Sequence, residues 1–117
     1  MNIYKVFSIE AAHQLPNVPL DHKCGRLHGH SFRVEIHVSG EVDPASGWVQ
    51  DFADIKGAFK PLYDQLDNHL LNSVEGLENP TSENLAQWIA DRLSGSLPQL
   101  IKVCVAETCT CGAIVEL

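Results

Sequence analysis

Residues 30–41 read His30-Ser31-Phe32-Arg33-Val34-Glu35-Ile36-His37-Val38-Ser39-Gly40-Glu41. Phe32, Val34, Ile36 and Val38 fall on one side of an extended chain, and Arg33, Glu35, His37 and Ser39 on the other. That alternation predicts a half-buried antiparallel strand. Upstream, residues 3–13 keep the same period: Phe7, Ile9 and Ala11 share a face, and His13 continues it. Between the two strands, residues 14–29 hold Pro16, Pro19, Gly25 and Gly29, so a loop carries Cys24. Downstream, Asp43-Pro44-Ala45-Ser46-Gly47 is turn chemistry.

A helix is predicted over about residues 52–66. Phe52, Ile55, Phe59, Leu62 and Leu66 form one stripe, and Asp51 caps its start. Pro61 inside it predicts a kink or an early break. Thr81 caps a second helix over about residues 82–94, with Leu85, Trp88, Ile89 and Leu93 inward and Gly95 and Pro98 closing it. Ile101, Val103, Val105 and Glu107 alternate on one face of a third strand, and residues 112–116 supply a fourth. The order ββααββ is α+β: a four-stranded antiparallel sheet with both helices on one face. Its open edges and open face make self-association the expected remedy.

The 117 residues make a single domain, residues 1–117, without repeats or linkers. A formal net charge of −7 argues against nucleic acid or an anionic membrane as the main partner. No apolar run approaches the roughly 20 residues that span a bilayer. Met1-Asn2-Ile3-Tyr4-Lys5 does not read as a secretory signal, so a cytoplasmic location with free thiols is expected for Cys24, Cys104, Cys109 and Cys111.

The chemistry gathers around Cys24-Gly25-Arg26-Leu27-His28-Gly29-His30. In an extended segment His28 and His30 point the same way, and His13 lies on the strand before them. Three neutral imidazoles with no evident fourth protein ligand suit a catalytic zinc, Zn2+, with one open position. Imidazole also accepts iron and other divalent ions. Cys24, flanked by Lys23 and Arg26, is placed to act as a thiolate base or nucleophile rather than as an inert buried thiol. Cys109-x-Cys111, without further ligands nearby, is a weak metal or redox signal. His37, on the polar face of its strand, reads as structural, and His22 has no assigned role.

Six segments taken together resemble the 6-pyruvoyl tetrahydropterin synthase family: Glu10-Ala11-Ala12-His13, Cys24-x-x-x-His28-Gly29-His30, Val49-x-Asp51-Phe52, Leu66-Asp67, Pro80-Thr81-Ser82-Glu83-Asn84 and Glu107-Thr108. The three-residue gap between Cys24 and His28 resembles the 6-carboxytetrahydropterin synthase branch, which serves queuosine precursor biosynthesis. The pyruvoyl branch has a longer gap. The resemblance implies the tunnelling fold (T-fold), in which trimers close their sheets into a barrel and two trimers stack as a hexamer. It implies 7,8-dihydroneopterin triphosphate as substrate and zinc on His13, His28 and His30. It casts Cys24 as the proton shuttle, helped by an Asp-His pair, and Glu107 as the carboxylate that grips the pterin ring. Thr81, Ser82 and Glu83 cap a helix and can also touch the ligand. Lys23 and Arg26 are the cations nearest a bound triphosphate.

One position departs from the family pattern. Leu-Asp-His is usual, whereas this chain has Leu66-Asp67-Asn68 followed by His69. Asn68 cannot exchange protons near neutral pH as imidazole does. Either His69 takes over through a local backbone shift, or the relay is weakened, or the chain runs a related reaction. The expectation is that His69 supplies the imidazole, which requires the helix to end at or before Asp67.

Overall fold

The computed structural model describes residues 1–117. Two twelve-residue strands, β1 (Asn2–His13) and β2 (His28–Ser39), pair antiparallel along their full length, from Asn2 opposite Ser39 to His13 opposite His28. α1 (Phe52–Leu66) and α2 (Ser82–Leu93) follow, then β4 (Leu100–Ala106) and β5 (Gly112–Glu116). β4 pairs antiparallel with β2 and β5 with β4, with an irregularity in the β2–β4 register between His37 and Val38.

The sheet has five strands, not four. β3 (His69–Leu70) lies between the helices in sequence and pairs in parallel with Ala11 and Ala12 of β1, giving the order β3-β1-β2-β4-β5. Two residues are too few for alternation to register, and a parallel partner gives no hairpin signal. Only its neighbours in space reveal it.

The two faces of the sheet differ as the alternation requires. Ile9, Phe32, Val34, Ile36, Val38, Val103 and Val105 are buried beneath the helices. Arg33 on the other face is exposed, and Glu35 and His37 are half-buried. Both helices begin where the caps predict: Asp51 Oδ1 accepts from the Ala53 amide at 2.8 Å, and Thr81 Oγ1 from the Asn84 amide at 3.1 Å.

Two helix expectations are corrected. α1 runs through Pro61 to Leu66 without a break. Gly57, whose carbonyl loses its partner, and Pro61 are both exposed, so water can take the missing bond. Phe52 is 52% exposed, off the stripe formed by Ile55, Phe59, Leu62 and Leu66. As the first helical residue it lies beyond the part of α1 that the sheet covers. No helix is long and apolar enough to cross a membrane.

Candidate metal centre and active site

Strand register builds the centre. His13 and His28 are directly paired at the open end of the β1–β2 ladder, and His30 faces Ala11 one step in. All three project on the helix-covered face, beyond the last aromatic of the core. The Phe32 ring supports the His13 and His30 rings from below, with centroids 5.4 Å from each. The imidazoles pack edge to face, with centroids 4.5 to 5.1 Å apart.

Backbone carbonyls orient two of the three rings. His13 Nδ1 lies 2.7 Å from the Pro80 carbonyl, and His28 Nδ1 lies 2.6 Å from the Arg26 carbonyl. A carbonyl only accepts, so each Nδ1 carries the proton and each Nε2 keeps its lone pair free. That is the outer support metal-ligating histidines require. The ligand atoms of His13, His28 and His30 lie within 4.8 Å of one another, and the buried His13 Nε2 has no hydrogen-bond partner. A tetrahedral zinc would hold its nitrogen ligands about 3.3 Å apart, so a small closure of the rings completes the set. Burial, opposed by the Pro80 hydrogen bond, holds the His13 pKa below the ordinary imidazole value. The residues present therefore fit a zinc ion.

Glu107 follows β4 on the face shared with Val103 and Val105. Its Oε2 is 3.3 Å from His30 Nε2 and 3.7 Å from His13 Nε2. A carboxylate thus stands beside the imidazoles, in the chamber where the zinc would lie.

Cys24 sits in a one-turn 3-10 helix, Lys23–Gly25, inside the long loop. His22 caps that turn by accepting the Cys24 amide on Nδ1 at 3.0 Å, and the Cys24 carbonyl accepts from Leu15. Sequence reading gave His22 no role. An imidazole just ahead of a short turn was the available signal, because it can cap much as Asn or Asp does. Lys23 and Arg26 are exposed and pair with no carboxylate.

Thr81, Ser82 and Glu83 start α2, and the Pro80 carbonyl just ahead of them reaches His13. Ser82 is buried and its hydroxyl is unpartnered, whereas Glu83 is exposed. Cys109 and Cys111 lie exposed in the β4–β5 connection, and all four cysteines are free.

The Asp67-Asn68-His69 segment lies along the other edge of β1. α1 ends at Leu66, Asn68 takes a left-handed φ of 59°, and His69 enters β3 beside Ala11. Asn is among the few residues that adopt this conformation at little cost. The pairing of Asp67 with the imidazole differs from expectation. Its carboxylate accepts the Glu10 amide at 2.9 Å and the Asn68 side chain at 3.2 Å, so it ties the helix end to β1. The His69 ring meets the Asp67 backbone carbonyl instead, Nδ1 to O at 2.8 Å, which leaves Nε2 free. His69 and Asn68 line a cleft of about 530 Å³ together with Glu10, Gly29, His30 and Ser31. Glu10, which sequence reading passed over as a site residue, accepts the Ser31 hydroxyl at 2.7 Å there. Its cross-strand pairing with Ser31 becomes visible only once the β1–β2 register is known.

Known proteins repeat both the fold and the chain. A solved 6-pyruvoyl tetrahydropterin synthase from Caenorhabditis elegans superposes with a TM-score of 0.90 at 28% identity, covering 100% of this chain and 95% of that one. A 6-carboxy-5,6,7,8-tetrahydropterin synthase from Synechocystis is 46% identical over 117 residues, covering 95% of this chain and 89% of its own length. A putative 6-carboxy-5,6,7,8-tetrahydropterin synthase from Archaeoglobus fulgidus is 40% identical, covering 86% of this chain and 82% of its own length. The model of the 6-pyruvoyl tetrahydropterin synthase family matches residues 2–117, from the first residue of β1 to the end of the chain, and the chain belongs to that family.

Proposed function

We propose that the chain is a zinc-dependent carbon–oxygen lyase that converts 7,8-dihydroneopterin triphosphate and water to 6-carboxy-5,6,7,8-tetrahydropterin, acetaldehyde and triphosphate, acting in the cytoplasm in queuosine precursor biosynthesis. The observation that carries the reading is the 46% identity, across 95% of the chain, to a relative named for that product. The short Cys24–His28 spacing agrees with it.

His13, His28 and His30 would hold the zinc through Nε2, with the Pro80 and Arg26 carbonyls fixing two of the rings. Bound there, zinc makes the side-chain hydroxyls of a substrate more acidic. Glu107 accepts the amidine-like N–H edge of the pterin, and its place beside the imidazoles sets the pterin side chain over them. Cys24 removes the carbon-bound proton as thiolate. His69, its Nδ1–H held by the Asp67 carbonyl, presents a free Nε2 to return or relay protons. Asp67 is thus a positioning residue, acting through its backbone and through its clamp on Glu10. Lys23 and Arg26 receive the triphosphate. Thr81, Ser82 and Glu83, at the start of α2, would touch the ligand.

The working form is a homo-oligomer, a trimer or a dimer of trimers. β5 lies at one edge of the sheet, and β1 is covered at the other edge only at Ala11 and Ala12. Tyr4, Val6 and Ile114 along these edges are exposed.

Mass spectrometry of the products from 7,8-dihydroneopterin triphosphate tests the reading. Wild-type protein should yield 6-carboxytetrahydropterin. Cys24→Ala should yield none while keeping its metal, and Cys109→Ala and Cys111→Ala should match wild type. A 6-pyruvoyl product would support the alternative that the Caenorhabditis elegans likeness favours. Bound pterin without turnover would mark a binding module.

A further inference from the structure

The strand that delivers His28 and His30 to the covered face delivers a different set of donors to the open one. Glu35 and His37, two residues apart on β2, share that face, and Cys104 of β4 stands directly opposite Glu35. His37 Nε2 lies 2.9 Å from Glu35 Oε1 and 3.9 Å from Cys104 Sγ, and one donor atom from each residue falls within 4.8 Å of the other two. The reaction proposed above uses none of them.

Neighbours hold two of these side chains in place. Tyr4, the cross-strand partner of His37, stacks on its ring with centroids 5.0 Å apart and planes 23° apart. Arg33 binds Glu35 through Oε2 at 3.1 Å, which turns Oε1 toward the imidazole. A polar patch on a sheet face needs only the Arg33–Glu35–His37 chain. A thiol aimed at the same ring nitrogen adds a soft donor that such a patch does not need.

We propose that Glu35, His37 and Cys104 form a second metal site, for a borderline divalent cation such as zinc, on the sheet face opposite the three-histidine centre. In a tetrahedral zinc site with Zn–N and Zn–O near 2.0 Å and Zn–S near 2.3 Å, neighbouring donors stand about 3.3 to 3.6 Å apart. The 2.9 and 3.9 Å separations from His37 bracket that range, and the Glu35 and Cys104 donors lie within 4.8 Å of each other. The ion takes the place of the proton between Nε2 and Oε1, that proton moves to Nδ1 of the neutral ring, and the Cys104 thiol gives its proton to solvent. Thiolate and carboxylate then balance the two positive charges. Arg33 on Oε2 becomes the outer support of the carboxylate. A sulfur, nitrogen and oxygen set favours zinc or cobalt(II) over magnesium or calcium. Glu35 also lines a cleft of about 600 Å³ with Ser31, Arg33, Ala106, Thr108 and Cys109.

Titration with cobalt(II) chloride of the protein carrying its first metal tests this, read by equilibrium dialysis and by the near-ultraviolet sulfur-to-cobalt charge-transfer band. Wild type should bind about one further cobalt per chain and develop the band, since a site of three histidines gives no such absorption. Cys104→Ala should lose both while keeping its first metal. Glu35→Gln, a surface change that spares the core, should weaken the second binding about tenfold or more. Cys24→Ala should retain band and stoichiometry. A band that survives Cys104→Ala, a band lost in Cys24→Ala, or no second equivalent of cobalt would overturn the proposal.

Discussion

β2 carries histidines to both faces of one sheet, and the two settings differ in what orients the ring. On the covered face, backbone carbonyls hold His13 and His28 by Nδ1. A carbonyl only accepts, so in the neutral ring the proton stays on Nδ1 and Nε2 keeps its lone pair. On the open face His37 is held by a carboxylate and a stacked ring, both side chains. There the His37 hydrogen bond is the main cause holding the Glu35 carboxyl below the usual range, so ring and carboxylate satisfy each other until something displaces the shared proton. A candidate metal centre and a self-satisfied polar cluster thus arise from the same alternation, with His30 and His37 seven residues apart on β2.

The hardest blow to the covered face is His28→Ala. Zinc should fall from about one ion per chain to a small fraction of that by elemental analysis, and turnover should fall with it. The same substitution should leave the response of the open face to cobalt(II) intact. Phe32→Ala comes next. Phe32 is fully buried and supports two ligand rings, so thermal or denaturant unfolding should show a loss of about 3–5 kcal/mol. First-site metal affinity should drop alongside, because the Phe32 ring packs against both His13 and His30. Smaller again is His69→Ala, expected to lower turnover on the order of 10²-fold with zinc content unchanged. Near-normal turnover in that variant would remove His69 from the relay.

What the sequence disclosed depended on the range of the signal. Alternation and helical stripes are local, so β1, β2, both helices and the common parity of His13, His28 and His30 could be read from single segments. Capping is local too, and both Asp51 and Thr81 behave as read. Features that need register stayed hidden. Cys104 opposite Glu35, Ser31 beneath Glu10 and the Pro80 carbonyl on His13 each join strands or loops whose alignment no single segment records. The Asp67 carboxylate was misplaced for the same reason. Its partner is the Glu10 amide, fifty-seven residues away, and no pattern around Asp67 points there.

The smallest effect bears on the one departure from the family pattern. Asn68 holds a φ of 59°, donates its amide to the Glu10 carbonyl at 2.6 Å and touches Asp67 through its side chain. Each contact serves the turn that carries the chain from α1 into β3 and sets His69 beside Ala11. If Asn68 is a backbone device, its substitutions should follow left-handed cost and not chemistry. Asn68→Gly should leave stability within about 0.5 kcal/mol, while Asn68→Ala should cost about 1 kcal/mol, a few degrees in the unfolding midpoint for a domain of this size. Asn68→His restores the Leu-Asp-His order, and His also tolerates positive φ, so its stability should stay near wild type. Turnover then separates the roles. With His69 as the relay, Asn68→Gly keeps most activity and Asn68→His adds little, since a competent imidazole is already one residue away. Activity that collapses in Asn68→Gly while the unfolding midpoint holds would show that the Asn68 amide itself takes part in the chemistry. A large gain in Asn68→His would show that His69 replaces the family histidine poorly.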